Sequence, residues 1–327
     1  MSSLSNMRSL ITCFLIFVSF CVFGQNYAQY YYWVNEAEKL IANKQYNEAL
    51  KIYDEVFTGY DFIFLHDYRV AAQIALAANE PEKSWQYLKS GINSGWTLKS
   101  IKKNGYLENL QTDPQWKSLK HEYKSLRNSY EAHLDQDVRE KVKKMFSKDQ
   151  WKAIGALFTF SSKGQDRYAE KKFALHSEKQ MSKFISVLNE SGYPGEILIG
   201  NSFWMATILS HHNSISQAYV EKDTLYQFIR PRLLEAIQVG SMSPWEFAMI
   251  DGWYTTVKEG LKKANYGFLN RPTKEEWTAV NELRQSIGLR SIETRNGLID
   301  IEKLTGMNFY LRGKPWVDGK IEVKDVE

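Results

Sequence analysis

The densest chemistry-bearing stretch of the chain is Ser210-His211-His212-Asn213-Ser214, the one place where two of the six histidines are adjacent. Imidazole serves as a general base near neutral pH and as a metal ligand. On a helix, neighbouring side chains diverge by about 100°. A metal shared by His211 and His212 therefore needs a helix end and further ligands. Asp251, Glu246 or Asp223 would supply carboxylates for a two-histidine, one-carboxylate set of the kind zinc or iron accepts. No His-Glu-x-x-His spacing accompanies them. A second arrangement makes His211 a general base oriented by Asp251, with Ser210 or Ser214 as nucleophile. It lacks a Gly-x-Ser-x-Gly elbow. In a third arrangement His211 closes a helix C-terminus, while Asp251 and Arg139 form a satisfied buried pair. The third is the expectation. Neither a P-loop nor a dinucleotide fingerprint is present, and Gly91-Ile-Asn-Ser-Gly95 reads as a helix-ending loop, so no cofactor is expected.

These residues need helices to place them. Apolar spacing predicts a helix over 166–191, closed by Gly192-Tyr193-Pro194-Gly195, and an apolar segment 203–209 that runs into His211. Helices follow near 223–239 and 244–259, with a break at Tyr266-Gly267 and another helix near 273–286. Arg295-Asn296-Gly297 and Val317-Asp318-Gly319 are turn dipeptides, which predict one or two short β-hairpins near 290–325.

The first half has a different rhythm. Trp33, Ala37, Leu40 and Ile41 precede a polar corner at Asn43-Lys44-Gln45; Tyr46, Ala49, Leu50, Tyr53, Val56 and Phe57 follow on a second helix. The stretch Ala37–Tyr53 resembles a tetratricopeptide repeat, whose helix pairs bury their apolar faces only by stacking on neighbours. A second pair runs from Asp67 to Ala78, turns at Asn79-Glu80-Pro81, and continues through Ser84-Trp85-Gln86-Tyr87-Leu88. Gly95-Trp96, Leu107, Leu110 and Asp113-Pro114-Gln115-Trp116 extend the pattern. Trp33, Trp85, Trp96 and Trp116 are expected to pack in the core. Residues 121–150 alternate charged and apolar positions and read as long amphipathic helices with a solvated lysine face.

At the N-terminus, Arg8 precedes an apolar run from Leu10 to Phe23 that ends at Gly24-Gln25. This is the layout of a secretory signal, and the run falls short of the ~20 residues that span a bilayer. The signal resembles those of Bacteroidetes-type bacteria, which implies the periplasm or cell surface of a Gram-negative cell. Cleavage after Gly24 would remove Cys13 and Cys21, leaving a mature chain without thiols, disulfides or a transmembrane anchor. The net charge of +4 would fall only to +3, too weak to imply nucleic acid. Aromatic residues are abundant at 14%, which suits a large core or a recognition surface.

The order Asp135-Gln136-x-x-Arg139, Gly192-Tyr193-Pro194, His211, Asp251, Tyr266-Gly267 and Arg284 … Gly288-Leu289 is similar to an uncharacterised bacterial domain family. That family often follows tetratricopeptide-like repeats in exported proteins. The resemblance implies Asp135, Gln136, Arg139, His211 and Asp251 as matched site positions. Asn213 stands where the family has Asp, Gly252 where it has Arg, and Leu269 where it has Gln. His212, Trp253 and Tyr266 complete the candidate binding set. The expected architecture is therefore mainly α. A signal peptide occupies 1–24, a TPR-like repeat domain 25–120, a helical junction 121–150, and a helical domain with small hairpins 151–327. The expected function is that of an exported binding or scaffold protein, with the repeat surface taking a peptide or protein partner. The alternative is a hydrolase or metal-dependent enzyme centred on His211, His212 and Asp251.

Overall fold

The computed structural model describes residues 25–157, 164, 167–260, 263–311, 317 and 319–324. The predicted export signal, residues 1–24, lies outside the described residues, as do Arg312–Trp316 and Asp318 in the region of the second predicted hairpin. Among the described residues no helix is long and apolar enough to cross a membrane.

The chain is mainly helical. In the first half α1 (Tyr27–Ala42), α2 (Tyr46–Gly59), α3 (Leu65–Ala77) and α4 (Pro81–Asn93) pack as successive neighbours. Local chemistry sets their ends. The Asn26 side chain accepts from Ala28 N–H to start α1, and Pro81 occupies the first turn of α4, where its missing N–H costs nothing. Lys44 and Asn79 take positive φ at the two corners. A short α5 (Leu98–Lys102) and a 3₁₀ turn (Gly105–Thr112) lead to α6 (Pro114–His133), which lies against α4. Trp85, Trp96 and Trp116 are buried as expected, whereas Trp33 is 41% exposed and edges against Tyr32 instead.

The second half comprises α7 (Gln136–Leu157), α8 (Ala174–Ser191), α9 (Glu196–Ile199), α10 (Trp204–Asn213), α11 (Gln217–Lys222), α12 (Leu225–Gln238), α13 (Pro244–Lys258), α14 (Trp277–Ser286) and α15 (Ile292–Thr305). A π-turn over Ala169–Phe173 leads into α8. The central α10 packs against α7, α8 and α13.

The predicted hairpins are absent: no strand occurs among the described residues. Arg295-Asn296-Gly297 lies inside α15, whose start is fixed by Ser291 Oγ accepting from Thr294 N–H. The dipeptide misleads because its glycine serves packing rather than a turn. A Cβ on Gly297 would sit 2.7 Å from Ala42 Cβ, so the missing side chain lets α15 close on α1. The described residues beyond Gly306 are irregular.

Two large buried clusters, with a small third around Phe173, form the interior of the described residues, and α1 contributes to both large ones. Tyr27, Tyr30 and Tyr31 enter the cluster of the second half with Phe184, Tyr226 and Phe247. Ala37 and Ile41 enter the cluster of the first half, which also takes Leu298, Ile301, Met307 and Phe309 from the far end of the chain. Much of the aromatic excess is spent at this seam. Tyr30 and Tyr31 meet edge-on at 5.3 Å, and Tyr30 does the same with Tyr60 at 5.1 Å. Such pairs add about 0.5–1.5 kcal/mol each beyond burial. Tyr27 donates to Phe62 O and Tyr31 to Met242 O, so the phenols are satisfied inside the apolar layer.

Candidate functional site

The candidate residues are dispersed among four separate sets of contacts. The first surrounds His211 in the last turn of α10. Its Nδ1 lies 2.6 Å from Oδ2 of Asp149, a fully buried carboxylate on α7, and its ring meets Phe173 edge-on. About a third of the His211 side chain is exposed. Asn213, at the end of the same helix, is buried and donates through Nδ2 to Ile250 O.

The second network is a chain of serine, histidine and aspartate. Ser177 Oγ on α8 lies 2.9 Å from His212 Nδ1, and His212 Nε2 lies 3.1 Å from Asp223 Oδ2. Asp223 also accepts from the N–H groups of Leu225 and Tyr226, which begins α12. Burial alone would raise the Asp223 carboxyl; the hydrogen bonds from His212 and those two amides carry it below its ordinary range. With a proton on Nε2 and none on Nδ1, the ring donates to Asp223 and accepts from Ser177. Ser177 and His212 are both wholly buried. This chain of groups joins α8 and α10 to the start of α12.

Asp251 on α13 centres the third network. Its Oδ1 accepts from Tyr226 Oη at 2.9 Å and Arg230 Nε at 2.7 Å; its Oδ2 accepts from Arg230 Nη2 at 3.1 Å and Tyr266 Oη at 2.8 Å. Four donors saturate one buried carboxylate. Burial, with the adjacent carboxylate, pushes the Tyr226 and Tyr266 phenols well above their ordinary range. The expected partner of Asp251 was Arg139; the structure places Arg230 there instead, one turn and a half into α12. Trp253 is half-buried and packs against the same core.

Arg139 belongs to a different contact. It donates to Ile199 O and lies over the Trp204 ring, 5.1 Å from the centroid. Asp135 N–H donates to Leu198 O, while its carboxylate accepts from Val138 N–H at the start of α7. Gln136 reaches back to Glu131 O. The Asp135-Gln136-x-x-Arg139 motif thus starts a helix and docks it on the carbonyls of α9. His211 and Asp251 hold separate partners, and no three His, Cys, Asp or Glu side chains come together as a metal-holding group among the described residues.

The arrangement with most recognition chemistry lies elsewhere, where helices of the first half meet residues 307–311. Gln73 on α3 grips Asn308 at both main-chain groups: Oε1 accepts its N–H at 2.8 Å and Nε2 donates to its carbonyl at 2.7 Å. His66 Nε2 lies 3.1 Å from Phe309 O while its Nδ1 lies 2.9 Å from Asp67 Oδ1. Asn104 donates to Tyr310 Oη, and the Arg69 guanidinium covers the Tyr310 ring at 4.8 Å. Met307 and Phe309 drop two residues apart into the first-half core, and both are buried. None of Gln73, His66, Asn104 or Tyr310 was a candidate from sequence. Only a glutamine fully buried in an alanine-rich helix, needing amide partners, signals them.

No family model matches this chain, and neither a curated protein nor a solved structure does.

Proposed function

We propose that this is an exported helical binding protein whose tetratricopeptide-like half holds an extended peptide. The supporting observation is the two-ended Gln73 clasp on Asn308, flanked by pockets for Met307 and Phe309. Main-chain hydrogen bonds give such a contact affinity, and alternate side chains give it selectivity. The occupant here is the chain's own segment, so a partner peptide of similar chemistry competes with residues 307–311. The saturated state of Asp251 and the burial of Ser177 and His212 support binding over catalysis. The reading is tested by capture from a bacterial envelope fraction. A Phe309→Ala protein, with its own segment weakened, should retain a partner that the unaltered protein retains less, and a synthetic peptide of residues 304–311 should elute it. Equal capture by both proteins, unaffected by the peptide, would count against it.

A further inference from the structure

Beside that segment lies a cavity of about 160 Å³ walled by Arg69, Arg284, Arg290 and Arg295, with His66 and Ser243 and, among the described residues, no carboxylate in its lining. Four guanidinium groups around one small space repel one another and lose water, an arrangement that is costly without a compensating anion. Two are held in place from behind. Arg284, wholly buried, donates from Nε to Arg290 O and from Nη1 to Tyr266 O, both at 2.7 Å. Arg295 donates from Nη1 to Gly319 O at 2.5 Å. These bonds consume neutral acceptors and leave the charges uncancelled. Arg284 Nη2, Arg295 Nη2 and Arg69 Nε are buried N–H donors with no hydrogen-bond partner among the described residues. Buried donors of this kind are rare and call for an explanation.

The nearest carboxylates do not supply one. Glu38 is 2.5 Å from Arg290 Nε and engages that guanidinium alone. Burial holds Glu196, the acid that acts on Arg69, up to about 8, so at neutral pH it is mostly uncharged. Burial also raises Glu302, whose carboxylate accepts from Phe309 N–H rather than from Arg295. Desolvation together with the neighbouring arginines lowers Arg284 to about 9 and Arg295 to about 10, the direction expected of cations awaiting a counter-charge.

We propose that this cavity binds a phosphate dianion, either free or as a monoester. Three of the guanidinium groups that line the cavity carry an orphan donor to offer a phosphoryl oxygen, and arginine forks suit phosphate geometry. A single carboxylate would leave more of the positive charge uncancelled. At the cavity margin Phe203 and Trp245 meet edge-on at 6.3 Å, and Phe203 is 41% exposed, a surface against which the organic part of a monoester would rest. The site adjoins the peptide clasp and shares Arg69, His66 and Tyr310 with it, but its orphan donors are not the groups that hold Asn308.

The test is calorimetric titration of the purified protein with inorganic phosphate and, separately, with phenyl phosphate, at constant ionic strength against chloride. One-to-one saturable binding of either compound is expected. Arg69→Gln and Arg295→Lys proteins, each verified as folded by circular dichroism, should bind at least about tenfold more weakly. Lys144→Ala, on the separate lysine-lined groove of α7 and α8, should change nothing. Tighter binding of phenyl phosphate would assign a monoester, and equal binding the free anion. No saturable binding of either compound, or binding unaltered in both arginine variants, would overturn the proposal.

Discussion

Gln73 and Asn308, separated by 235 residues, are joined by two hydrogen bonds that use both ends of one amide and both main-chain groups of one residue. This pairing ties residues 307–311 to a helix of the first half. Replacing Gln73 with Leu keeps most of the volume but strands the N–H and carbonyl of Asn308. A loss of about 1–3 kcal/mol is expected, the cost of leaving buried polar groups unpaired. Urea denaturation gives the energy, and amide hydrogen exchange should show the loss of protection concentrated at residues 307–310.

The Gly297–Ala42 contact predicts a paired effect. Gly297→Ala places a methyl where only 2.7 Å is open, so overpacking by about 1–3 kcal/mol outweighs the gain of up to about 1 kcal/mol in helix propensity. Ala42→Gly on the facing helix reopens the space. Thermal melts of the two single variants and the double variant should show the double more stable than the two losses added together. Strict additivity would mean that the helices do not meet there.

Much of the architecture was legible because local periodicity suffices for it. The helices ending near Gly59, Gln238 and Lys258 follow from apolar spacing, and Trp85, Trp96 and Trp116 sit at packing positions. The hairpins were misread because an Asn-Gly pair carries the same local signal whether glycine makes a turn or permits two helices to touch. The partners of the charged groups were beyond local reading altogether. His211 pairs with a carboxylate 62 residues away, and the guanidinium on Asp251 comes from Arg230, not Arg139. The arginine cavity draws on positions 69, 284, 290 and 295, a juxtaposition that only the fold creates.

At Asp251 the prediction concerns stability, not turnover. Asp251→Asn keeps the shape but leaves Arg230 without its counter-charge and disturbs two buried phenols. Breaking a buried pair costs about 3–5 kcal/mol; Arg230 is 36% exposed, so about 2–3 kcal/mol is expected after solvent screening. Chemical denaturation measures it. A change below about 0.5 kcal/mol would show that the network is not structural.

Glu196 makes stability depend on pH. Burial raises its folded pKa to about 8, against roughly 4.3 in an unfolded chain. The folded protein therefore holds this proton more tightly. The stability linked to it is complete below about pH 4, declines as pH rises towards 8, and is absent above that. Glu196→Gln retains an acceptor for Leu65 N–H and removes the titration. The variant's stability relative to the unaltered protein should rise between pH 5 and pH 8.5. Urea midpoints that shift in parallel at the two pH values would contradict the assignment.

The claim that the first half holds an extended peptide is tested most directly by fluorescence anisotropy with a labelled peptide of residues 304–311. The peptide is titrated into the unaltered protein and into a Met307→Ala, Phe309→Ala protein confirmed as folded. Little binding to the unaltered protein is expected, with saturable binding to the double variant that is lost when Gln73→Leu is added. A folded double variant that fails to bind the peptide, or binding indifferent to Gln73, would contradict the account.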